Sequence, residues 1–237
     1  MLLIFAGASA EFALNKVVDW LYFTGRLPAD PLGRLFSTVT YAQKIIFSSR
    51  DKALDSIDNI VSIHRGVEAQ RGMSIPAPAY LDVLFLLVDY SIRSFELLQR
   101  RLTPAEKAEV FSVFNRVGAR MGLAGLPAHY AAWEHDRKKH LLENLVWSPF
   151  SADLYQQYRK HLGPFRYWLL LQGQALLVPP AIRRSLPLPA APVIGPVIQV
   201  YKLVRLLRLD YWVRVALLPK KFRASVASLD LCKPGMR

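Results

Sequence analysis

The chain has 237 residues, 52% of them hydrophobic, and carries 31 Lys and Arg against 18 Asp and Glu, a net charge of +13. So apolar a composition excludes a disordered chain. The lone cysteine, Cys232, excludes a disulfide scaffold and a multi-cysteine zinc site.

The N-terminal run Met1 to Leu14 is apolar but is interrupted by Glu11. It lacks a basic leader region and a small-residue cleavage site. Asp30-Pro31 places an N-cap residue before a proline at the first helical position. The helix it opens is expected to carry Leu35, Val39, Ala42 and Ile46 on one face. Ser48-Ser49-Arg50-Asp51 starts the next, with Leu54, Ile57, Val61 and His64 on its buried stripe. Tyr80 to Ile92 is the most apolar helix, yet it holds Asp82 and Asp89. A membrane span needs roughly 20 unbroken apolar residues, and no stretch supplies them. We therefore expect buried helices, and a cytoplasmic protein without signal peptide or span.

Thr103-Pro104-Ala105-Glu106 reads as a capping box, and Gly122 and Gly125 end the helix it starts. A further helix is expected over about Ala128 to Leu145. Pro149 and Gly163-Pro164 punctuate the next two segments. The six prolines between Pro179 and Pro196 rule out one regular helix there. Their apolar neighbours Ile182, Leu186 and Leu188 point to a packed, turning segment. Val197 to Leu218 is amphipathic, with Lys202, Arg205, Arg208 and Arg214 beside Tyr211 and Trp212. No run alternates with the period of a strand. The reading is an all-α single domain, residues 1–237, of about eight to eleven helices with a basic C-terminal helix.

The charge is uneven. Residues 1–150 are nearly neutral, whereas residues 151–237 hold 14 basic side chains against Asp153, Asp210 and Asp230. Such a one-signed region asks for an anionic partner. Its basic residues, including Lys202, Arg205, Arg208, Arg214, Lys220 and Lys221, are interleaved with Leu and Val. That composition suits an anionic membrane surface or a protein partner better than nucleic acid.

Familiar catalytic signatures are missing. Gly7-Ala8-Ser9-Ala10-Glu11 lacks the strand and closing glycine of a nucleophile elbow. The sequence has no phosphate loop, no dinucleotide fingerprint and no Glu-x-x-His pair. His135 and His140 sit among Arg137, Lys138 and Lys139. We expect a solvated face there, with Glu134–Lys138 and Asp136–His140 pairs at i,i+4. His64, among apolar residues, is either a satisfied core histidine or a ligand. Asp89 must be paired or neutral in its apolar helix. Arg93, four residues on, is the nearest partner, although buried acids also concentrate at functional sites.

The run Asp30-Pro31-Leu32-Gly33-Arg34-Leu35, Thr38, Tyr41, Phe47 and Ile63-His64-Arg65-Gly66-Val67 resembles the opening of the MpaB-type oxygenase family. That family also contains the rubber oxygenases (latex-clearing proteins). The helix around Asp89, Leu102 to Glu106, Gly118 to Pro127 and the Val178-Pro179-Pro180 break resemble it too, so the similarity covers roughly residues 5–225. The resemblance implies an all-helical fold, haem b, and oxygen-dependent oxidation of a hydrophobic substrate. It also implies a proximal histidine on the apolar helix, where this chain has Asp89. An Ala-His-Pro expected near the N-terminus is replaced by Ala6-Gly7-Ala8-Ser9.

On that resemblance, the candidate catalytic residues are His64 and Asp89. The metal ligand would be His64, with Tyr90 as the other option. Arg65 and Arg93 would pair the haem propionates. The alternative is a diverged, non-catalytic member that binds an apolar small molecule or lipid, or serves as a structural subunit at a membrane surface.

Overall fold

A computed structural model describes residues 2–23, 25, 29, 30, 33, 38, 41, 42, 44–46, 48–196 and 198. The amphipathic C-terminal helix predicted from Val197, with its basic cluster, lies outside the described residues, as do Leu35 and Val39. Eight helices appear among the described residues: α1 (Leu2–Phe12), α2 (Asp19–Phe23), α3 (Arg50–Arg71), α4 (Ala77–Leu98), α5 (Pro104–Arg120), α6 (Tyr130–Glu143), α7 (Pro149–Leu177) and α8 (Pro180–Arg184). There is no strand among them, only an isolated bridge between Asn15 and Leu145. The all-α expectation holds.

Local chemistry sets the helix ends. The Thr103 hydroxyl accepts from the Glu106 amide, and the Glu106 carboxylate accepts from the Thr103 amide, as the capping box predicts. Ser148 and Ser151 form a second reciprocal cap before Pro149. Asp30 accepts from the Gly33 amide, the bond expected of its N-cap role. Inside α7, Gly163 adopts φ 72° and ψ 170°, and Pro164 restarts the helix beyond it. That backbone region is essentially restricted to glycine, so this Gly-Pro pair fixes the bend.

Helix α4 is the central post. It packs against α1, α5, α6 and α7; α3 leans on α5, and α8 on α6. The α1–α4–α7 side buries Ala10, Ala13, Leu14, Leu86, Tyr90, Leu154 and Leu177. The opposite side buries Phe85, Val88 and Ile92 against Phe111 and Trp133. Close approach of α1 to α4 depends on Gly7: a β-carbon there would lie 2.2 Å from Cδ1 of Tyr90. The segment after α1 joins the α6–α7 connection through Lys16 N to Asn144 O (3.0 Å) and Val146 N to Leu14 O (2.7 Å). That pairing carries Asn15 and Asn144 to the same place.

The proline-rich stretch folds as a packed, turning segment, as expected. Ile182 and Leu186 are buried in the core and Leu188 packs against it. No described helix is long and apolar enough to cross a membrane.

One expectation is overturned. The face of α6 bearing Arg137 and His140 is not solvated: both side chains are buried. His140 turns to Glu11 and Asp82 rather than to Asp136. The reason is helical spacing, because Trp133, Arg137 and His140 stand at i, i+4 and i+7 on the stripe that meets α4. Lys138 and Lys139 fall on the other side and are exposed.

Candidate functional site: a buried ionic network

Three acids enter the interior. Glu11 comes from α1, and Asp82 and Asp89 stand two turns apart on one face of α4. The facing stripe of α6 supplies Arg137 and His140.

Arg137 is the hub. Its two terminal nitrogens meet the two oxygens of Glu11, Nη1 on Oε1 and Nη2 on Oε2, the latter at 2.5 Å. Its Nε and Nη2 also reach Oδ2 of Asp89 at 3.1 and 2.9 Å. The other Asp89 oxygen accepts from Arg93 Nε at 2.6 Å, the expected i,i+4 pair. His140 lies with Nε2 3.2 Å from Glu11 Oε1 and Nδ1 against Asp82 Oδ1. Asp82 is completed by Asn15 Nδ2 at 3.1 Å and by Asn144 Nδ2 at 3.0 and 3.1 Å.

The electrostatics follow from this geometry. Burial alone would raise the Glu11 carboxyl, but the bonds and charges of Arg137 and His140 outweigh it and lower it to about 2. Burial would lower Arg137; Glu11 and then Asp89 raise it instead. For His140 too, burial works downward and is overcome by Asp82 and Glu11, so its pKa is raised. A carboxylate at each ring nitrogen calls for a proton on each, which is the imidazolium. The network then holds three anions (Glu11, Asp82, Asp89) and three cations (Arg93, Arg137, His140). With His140 protonated it closes neutral, the condition for ions to be tolerated in a core.

Tyr90 packs its ring on Gly7 and is fully buried. Its hydroxyl lies beside Glu11 without the geometry of a full hydrogen bond. Burial, then the Glu11 charge, push this phenol well above its ordinary range.

The predicted site residues divide into two places. Asp89, Tyr90 and Arg93 belong to or border the network. His64, on α3, rests on the Tyr80 ring with centroids 5.2 Å apart. Tyr80 precedes Asp89 by nine residues, about 13 Å along α4. Arg65 is exposed and lines a groove of about 320 Å³ together with Asp58 and Arg120, which pair with each other. The structure therefore does not gather His64, Arg65 and Asp89 around one point. Glu11, Arg137 and His140 were missed in the sequence. The available signals were an acid in an apolar run and the i, i+4, i+7 spacing of Trp133, Arg137 and His140.

These residues do not fit a haem-iron ligand set centred on α4. Both Asp89 oxygens are engaged by guanidinium groups, and Tyr90 is held as a neutral, enclosed phenol. Haem iron is ordinarily bound by an accessible His, Cys, Met or Tyr. Among the described residues there is also no cluster of three His, Cys, Asp or Glu side chains able to hold a metal ion.

No curated protein and no solved structure matches the chain. A family model described as ER-bound oxygenase mpaB/B'/Rubber oxygenase, catalytic domain, matches residues 2–227, nearly the whole length. Together with the all-helical fold, this match shows that the chain belongs to the MpaB/rubber-oxygenase catalytic-domain family.

Proposed function

We propose that this chain is a diverged member of the oxygenase family that acts as a structural, non-catalytic helical domain. The observation that carries the reading is the state of Asp89. The resemblance expects an iron ligand there, and Asp89 is instead locked between Arg93 and Arg137 in a charge-neutral, buried network. Three of the roughly four acceptor sites of this carboxylate are taken by guanidinium donors, which leaves it poorly placed to serve a substrate or cofactor. Breaking such a network leaves an unpaired buried charge, so it resists opening. Its contribution is cohesion: it ties α1, α4 and α6 together.

A family of this type is compatible with haem or iron, and His64 supports a second reading, haem-dependent oxidation of a hydrophobic substrate. Its imidazole stands outside the network, on α3. An absorption spectrum of the purified protein after haem supplementation separates the two. The proposal expects no Soret band. A band that vanishes in His64→Ala would instead establish haem held by His64 and overturn the proposal.

A further inference from the structure

Helix α7 carries an exposed aromatic pair just after its bend. Phe165 and Trp168 are 65% and 41% exposed, and their rings stack at 6.3 Å and 22°. They stand three residues apart, on one face of the helix that Pro164 restarts. One turn beyond Trp168, Gln172 accepts a hydrogen bond from the Val193 amide at 2.7 Å. That bond folds the proline-rich segment back onto α7 and sets Val193, 62% exposed, beside Gln172. Large apolar side chains exposed in this way mark an interaction surface.

The surroundings say what they face. Arg159 and Lys160 are exposed in the turn just before the Gly163 bend, and Arg184 is exposed at the end of α8. No Asp or Glu occurs anywhere from residue 154 to residue 209. Apolar rings flanked by cations, with no acid over 56 residues, match the interface of an anionic bilayer. Trp there sits at headgroup depth, and Lys and Arg reach the phosphates. A protein partner of ordinary surface would not select against acids over so long a stretch.

We infer that the bend of α7, through Phe165, Trp168 and Val193 with Arg159 and Lys160, is a docking face for an anionic lipid surface. The inference holds whether or not the chain binds a cofactor.

Flotation of the full chain with phosphatidylcholine vesicles, with and without phosphatidylserine, tests it. Binding is expected only with phosphatidylserine, and it should weaken with added salt. F165S/W168S should lose about tenfold or more in partitioning, as burial of two such rings predicts. R159Q and K160Q should each lose about fivefold. A direct reading that does not depend on these variants is quenching of Trp168 by brominated lipid, taken as the difference between wild type and W168F.

Three outcomes overturn the inference. Wild type that ignores phosphatidylserine is one. F165S/W168S that floats as well as wild type, placing the contact elsewhere in the chain, is another. The third is a Trp168 signal unmoved by vesicles, which means residues 199–237 or a second copy cover the face.

Discussion

Arg137 and Glu11 meet as a two-pronged ion pair across 126 residues of sequence, each terminal nitrogen on its own carboxylate oxygen, with both side chains out of contact with water. This pair fastens the first helix to the sixth. Asp89 and His140, and Asp82 through His140, are arranged around it.

Arg137→Met strips Glu11 of its partner while keeping much of the side-chain volume. We expect a loss of about 3–5 kcal/mol, the usual cost of stranding one buried ion. Urea unfolding measures it. The double variant E11L/R137M removes both charges and should recover most of that loss. A double variant as unstable as the single would show that packing, not charge, sets the cost.

The network also fixes how stability depends on pH. Glu11 is lowered from 4.5 to about 2, so its contribution is complete above about pH 4.5 and is lost as pH falls towards 2. His140 is raised above 6.5, so its contribution is complete below about pH 6.5 and is lost as pH rises through the raised value. Stability should therefore peak in mildly acidic solution. The groups facing His140 are Glu11 from α1 and Asp82 from α4, with Asn144 beside it. His140→Gln should flatten the alkaline limb of the melting temperature against pH and leave the acid limb in place. An unchanged alkaline limb would mean another group titrates there.

Gly7 is required by its neighbour. In Gly7→Ala the new methyl would lie 2.2 and 2.4 Å from ring carbons of Tyr90, which is too near for any relaxed contact. Overpacking of this kind costs about 1–3 kcal/mol. Thermal unfolding should show the loss, and G7A/Y90L should be less affected than the sum of its parts, because Leu vacates the ring edge. Simple additivity would refute the clash.

Gly163→Ala tests the bend in α7. At φ 72° and ψ 170° an alanine is strained by about 1–3 kcal/mol. A straightened helix would instead show increased helicity with little loss of stability, and circular dichroism distinguishes the two.

Much of the fold was legible in the sequence because its determinants are local. The Thr103–Glu106 box, the punctuation at Pro149 and the Gly163-Pro164 break each act within a few residues of themselves, and all appear where expected. The Asp89–Arg93 pair was equally visible, since one helical turn joins the two.

The site was legible only in half. Asp89 stood out because an acid in an apolar helix demands a partner. Glu11 raised the same demand near the N-terminus, but nothing local says which cation answers. Arg137 sits beside Lys138 and Lys139 and looked like the rest of a charged surface run. Its inward direction is decided by the docking of α6 on α4.

By itself, then, the sequence determined an all-helical chain, several of its helix ends and an acid that had to be paired. Only the tertiary structure decided which charges lie inside. A charged side chain enters a core only where opposite charge from another element is already held in place, and that element is brought up by the packing of α1, α4 and α6.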